Sequence, residues 1–77
     1  ARAMDTKHYK MFVQIGLNIM YYRKERGWTQ MDLAEAVNLS RNHMQRIEAA
    51  TAAPSLSKLL DIADALGVPV QKLFDAR

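Results

Sequence analysis

Between Ser40 and Ala49 stand four side chains that end in guanidinium or primary amide groups: Arg41, Asn42, Gln45 and Arg46. On a helix, at 100° per residue, they fall within an arc of about 140°, and Met44 and Ile47 point the other way. That grouping has a definite chemistry. An arginine fork pairs with guanine O6 and N7, and an asparagine or glutamine amide pairs with adenine N6 and N7, so this face can read base edges in the major groove of a duplex. No acidic residue lies in the arc to repel phosphate. On an isolated helix the same face is most often merely solvated, so its meaning depends on the elements that hold it.

Local punctuation defines those elements. Thr29 is an N-cap with Asp32 three residues on, the pattern of a capping box. The helix it opens runs over 29–37 with Leu33, Ala34 and Val37 as core positions. Asn38 is one of the few non-glycine residues that tolerate positive φ, so a tight turn is expected there. Leu39 tucks beneath it, and Ser40 caps the next helix, 40–49. Two short helices joined by a tight turn make a helix-turn-helix, here 29–49. Upstream, Phe12, Ile15, Ile19 and Tyr22 form one apolar stripe in a helix over 7–26, ended by Gly27. Downstream, Pro54 and Ser55 open a fourth helix that buries Leu56, Leu59, Ile62, Ala63 and Leu66 and closes at Gly67. Pro69 suits the first turn of a short last helix carrying Val70, Leu73 and Phe74. No segment alternates with period two, so the fold expected is all-α, a compact bundle of five helices.

Composition sets the outer bounds. Seventy-seven residues make one small domain, 49% hydrophobic and 25% charged, without cysteine to form a disulfide or a thiolate metal site. Residues 12–77 are assigned to it; 1–11 are an N-terminal arm or the start of the first helix, and Ala1 to Ala3 ahead of Met4 read as a cloning remnant. The net charge of +3 is unevenly distributed: within residues 1–31, Arg2, Lys7, Lys10, Arg23, Lys24 and Arg26 face only Asp5 and Glu25. A basic half suits a polyanionic partner. No apolar run is long enough to span a membrane, and no secretory leader is evident, so a cytoplasmic location is expected.

At this point the chain resembles the Cro-like, XRE-type family of repressors typified by those of lambdoid phages. The likeness is carried by the run from Arg23 to Gln30 (Arg-Lys-Glu-Arg-Gly-Trp-Thr-Gln), then Leu33-Ala34, Leu39-Ser40 and Ile47-Glu48, and finally Pro54-Ser55-Leu56 and Ala63 with Leu66-Gly67-Val68. It implies a five-helix DNA-binding domain and a role for each matching residue. Arg41, Asn42 and Arg46, with Gln45, would read bases. Gln30 and Ser40 would contact phosphate, and His43 would touch phosphate or sugar at the edge of the face. Arg23 and Glu48 would form a structural ion pair between the first and third helices. The chain departs from the family at Ala50, where glycine is usual: either a left-handed alanine is strained by roughly 1 kcal/mol, or the helix ends differently. Ala52 and Ala53 replace polar or basic residues, so fewer phosphate contacts are expected from 49–53.

The resulting reading is a sequence-specific regulator of transcription that binds double-stranded DNA, as a homodimer on a near-palindromic operator. The alternative is an antitoxin-like or adaptor domain whose third helix meets a protein. Nothing supports an enzyme: there is no cysteine nucleophile, glycine-rich phosphate loop or HExxH motif. No catalytic residue, cofactor or small-molecule ligand is expected, and His8 and His43 lie too far apart to indicate a metal site. Trp28, between a helix-ending glycine and an N-cap, is expected to pack as a hydrophobic staple. One feature exceeds the needs of the core. Val13, Leu17, Met20 and Tyr21 give the first helix a second apolar side, to be covered by the N-terminal arm (Met4, Tyr9, Met11), by Leu73 or Phe74, or by another subunit or domain.

Overall fold

The computed structural model of the chain describes residues 6–76. A 3-10 turn, Thr6–His8, leads into α1 (Tyr9–Glu25), followed by α2 (Gln30–Ala36), α3 (Arg41–Glu48), α4 (Leu56–Leu66) and a closing 3-10 turn, Val70–Leu73. The all-α class holds, with four α-helices and a 3-10 turn in place of the expected fifth helix. Tyr9 and Met11 belong to α1 and are exposed, so they do not fold back over it. Met4 lies outside the described residues.

Side-chain chemistry at the ends explains why each helix starts and stops. Thr29 Oγ1 accepts the Asp32 amide at 3.0 Å while Asp32 accepts the Thr29 amide at 2.8 Å, completing the capping box. Ser40 and Ser55 accept the amides of His43 and Lys58 at 3.0 and 3.1 Å. Each satisfies a donor that the first helical turn leaves without a partner. All four helices close on a left-handed residue: Gly27, Asn38, Ala50 and Gly67, with φ of 72°, 62°, 62° and 72°. In each case the amide of the residue after the left-handed one bonds back into the last turn, as Thr51 N does to Arg46 O at 2.9 Å. Ala50 therefore takes the strained alternative, and its methyl group is buried.

Ile15 and Ile19 of α1, Leu33, Ala34 and Val37 of the α2 segment, Met44 and Ile47 of α3, and Leu59, Ile62, Ala63 and Leu66 of α4 form one core with Leu73. Phe12, Tyr22, Trp28 and Leu39 pack against it, Trp28 in the staple position before the Thr29 cap. Arg26 lies over the Trp28 ring, 4.6 Å from its centroid. One expected core residue, Leu56, is exposed instead, and so is Phe74 of the closing segment. Leu56 is 67% exposed because it sits in the first turn of α4, at the edge of the buried arc. Phe74 is 38% exposed for a geometric reason. A 3-10 turn has three residues per turn, so Val70 and Leu73 share one side and Phe74 points about 120° away.

The second side of α1 is only partly covered. Val13 and Met20 are half-buried, whereas Leu17 and Tyr21 remain exposed. The closing turn does reach α1, but at Asn18. This fully buried amide donates to Leu73 O at 2.9 Å and Asp75 O at 2.8 Å and accepts from Gln14 Nε2 at 3.1 Å.

Candidate nucleic-acid interface

α3 is amphipathic in the sense its sequence implies. Met44 and Ile47 are buried, and Arg41, Asn42, His43, Gln45 and Arg46 are exposed. Residues 37–40 determine how that face is presented. Left-handed Asn38 reverses the chain, Leu39 N returns to Ala34 O at 2.8 Å, and Leu39 packs on the core beneath the turn. Arg46 makes an internal contact: its Nη2 donates to Thr51 O at 3.4 Å, a long and exposed bond that an outside acceptor can displace.

The far end of α3 is held by a buried polar cluster. Arg23 Nε donates to Glu48 Oε2 at 2.7 Å and Nη2 to Oε1 at 3.1 Å, a two-bond fork between α1 and α3. The pair's side chains are 8% and 1% exposed, so each charge depends on the other for its solvation. The third arm of the guanidinium, Nη1, donates to Trp28 O at 2.8 Å, just before α2 begins. Gln30, the first residue of α2, is half-buried, and its Nε2 donates to Glu48 Oε1 at 3.1 Å. Arg23, Gln30 and Glu48 thus meet in one network at the C-terminal end of α3, while Ser40 and Arg41 lie at its N-terminal end. His43 is exposed between them.

Two positioning features escaped the sequence reading. A Cβ on Gly16 would collide with the carbonyl oxygen of Glu48, so only glycine lets α1 approach the last turn of α3 this closely. The available signal was a glycine in the middle of an amphipathic helix, where it costs stability unless a close approach requires it. Lys58 donates from Nζ to Val37 O at 2.8 Å, tying α4 to the end of α2. A groove of about 540 Å³ beside that contact, lined by Trp28, Val37, Lys58 and Asp64 among others, contains none of the α3 face. Among the described residues no group of histidines and acids could hold a metal ion, and no helix is long and apolar enough to cross a membrane.

Comparison with known proteins decides the family. The Helix-turn-helix family matches residues 19–73, most of the chain and all of 29–49. The chain belongs to the helix-turn-helix family. Such domains are DNA-binding parts of transcriptional regulators and not enzymes. This helix-turn-helix domain is similar to an immunity repressor protein of Bacillus phage phi105, 46% identical over 59 residues, which are 77% of the chain and 41% of the repressor. The chain therefore spans about two-fifths of the length of that relative. Among solved structures, the restriction-modification controller protein C.AhdI from Aeromonas hydrophila superposes with a TM-score of 0.82 at 29% identity, over 86% of this chain and all of the controller. The biofilm regulator SinR, solved in complex with DNA, superposes with a TM-score of 0.74 at 34% identity, over 79% of this chain and 98% of SinR.

Proposed function

We propose that this domain regulates transcription in the cytoplasm by binding double-stranded DNA in a sequence-specific manner, with α3 in the major groove. The observation that carries the reading is the division of α3, with Met44 and Ile47 in the core and Arg41, Asn42, Gln45 and Arg46 in solvent. These side chains match base edges, and the core contacts behind them fix the direction in which they point. Gln30, Ser40 and His43 contact the DNA backbone. The amides that begin α3 add donors there, because a helix start leaves them without internal partners. Backbone contacts set the register of the protein on the duplex; base contacts specify the sequence.

A single module covers only a few base pairs, and operator affinities of about 10⁻⁸ to 10⁻¹¹ M normally need more. The domain accordingly acts as a homodimer, with two α3 helices about 34 Å apart along a near-palindromic operator. The resemblance to a phage repressor, a restriction-modification controller and a DNA-bound biofilm regulator supports this reading. Selection of bound sequences from a random DNA pool tests it. Enriched sites should contain two half-sites related by a dyad, with centres about ten base pairs apart. Recovery of no shared sequence would overturn the reading and favour a protein as the partner of α3.

A further inference from the structure

We infer that Glu48, a buried residue that does not itself reach DNA, positions the backbone-contacting amide of Gln30. The inference rests on the proposed contact between Gln30 and phosphate and adds to it the group that aims it. A primary amide has two nearly isosteric orientations, one presenting N–H where the other presents a carbonyl oxygen. A phosphate can accept a hydrogen bond only from the first. Left free, the amide would sample both orientations and bind in a fraction of them.

The Glu48 carboxylate removes that ambiguity. Its Oε1 lies 3.1 Å from Gln30 Nε2, close enough to accept one of the two amide hydrogens. The flipped orientation would set the amide carbonyl oxygen against a carboxylate oxygen with no proton between them, a repulsive contact in a site of low dielectric. With one hydrogen on Glu48, the second hydrogen on Nε2 is held in the amide plane about 120° away, ready for an acceptor from outside. A carboxylate so close to a phosphate site would ordinarily repel the DNA. Here Arg23 offsets the charge, because its Nε and Nη2 bond the two carboxylate oxygens at 2.7 and 3.1 Å. The same guanidinium holds Trp28 O at 2.8 Å and so places the start of α2, where Gln30 stands. One network therefore sets both the location of the Gln30 side chain and the orientation of its amide.

Two measurements test the assignment. The first is the side-chain amide spectrum of the free protein, where Gln30 should show one hydrogen protected from exchange, unlike exposed Gln45 and Gln71. In Glu48→Gln, whose amide can present either an acceptor or a donor to Gln30, that protection should weaken. Gln30 exchange indistinguishable from that of Gln45 in the unmodified protein would overturn the proposal, whatever the variant's stability. The second is a double-mutant cycle in DNA affinity, run below the melting temperature of every variant. Gln30→Ala and Glu48→Gln should each weaken binding about two- to tenfold, the worth of one hydrogen bond, on operator and unrelated DNA alike. Combined, they should lose no more than either alone. Should the losses add, the phosphate contact stands and Glu48 does not position it. Should Gln30→Ala leave affinity unchanged, the contact itself fails and the role of Glu48 with it.

Discussion

Arg41, Asn42, Gln45 and Arg46 all lie exposed on α3, yet they need not contribute alike. Arg41 stands in the first turn, where recognition helices enter the groove, and Arg46 lies more than a turn later with its guanidinium resting on Thr51 O. If both read bases, Arg41→Ala and Arg46→Ala should each cost about 1–3 kcal/mol of operator binding and relax preference at particular base pairs. Gel-shift titrations against single-base operator variants separate the two kinds of contact: equal losses on every variant would reduce that arginine to a phosphate contact. The chemistry of these residues was legible in the sequence because it depends only on residue type and helical phase. The network behind them was less so. The resemblance to repressors pointed to Arg23 with Glu48, but the bond from Gln30 to the same carboxylate joins residues 18 positions apart and depends on how α2 meets α3.

Helix ends were the most legible part of the fold, since the decisive interactions are local. Thr29, Ser40 and Ser55 each bond an amide three residues away, and Gly27, Asn38 and Gly67 each take up the left-handed turn their residue types favour. Helix crossings were not legible, because they join distant residues. Asn18 bonds carbonyls 55 and 57 residues away, and Gly16 meets the backbone of Glu48. Leu56 was assigned to the core by type and phase, whereas burial also requires a neighbour that extends over it. Gly16 carries the prediction at this scale. The added methyl of Gly16→Ala meets backbone, which cannot rotate aside, so α1 and α3 must separate. The better helix propensity of alanine returns up to about 1 kcal/mol, which overpacking of about 1–3 kcal/mol against rigid backbone exceeds. Thermal melting should show a net loss of stability. Operator affinity at a temperature where the variant is folded should also fall, because the shift is delivered to the end of α3. An increase in stability would mean that the helices can separate freely at this crossing.

For the whole molecule, the distribution of charge matters more than the net +3. Arg41, His43 and Arg46 are exposed along α3, and the loop that follows carries Ala52 and Ala53 in place of cations. Binding to a duplex releases condensed counterions in proportion to the phosphates neutralised, and each contributes about −0.9 to the slope of log K against log salt. Three to five phosphates per protomer, doubled in a dimer, give a slope of about −5 to −9. A lone protomer would give half of that, so the slope reports stoichiometry as well as electrostatics. The measurement is a titration of operator and of unrelated DNA at several salt concentrations. The proposed division of labour makes a specific demand on it. Removing a base-reading arginine should weaken operator binding with little change in slope, whereas removing a cation that neutralises phosphate should make the slope about one unit shallower per protomer. A slope near zero on operator DNA would exclude the phosphate-dominated complex and return α3 to the role of a protein-binding helix. A slope near −3 would keep the DNA complex and reject the dimer.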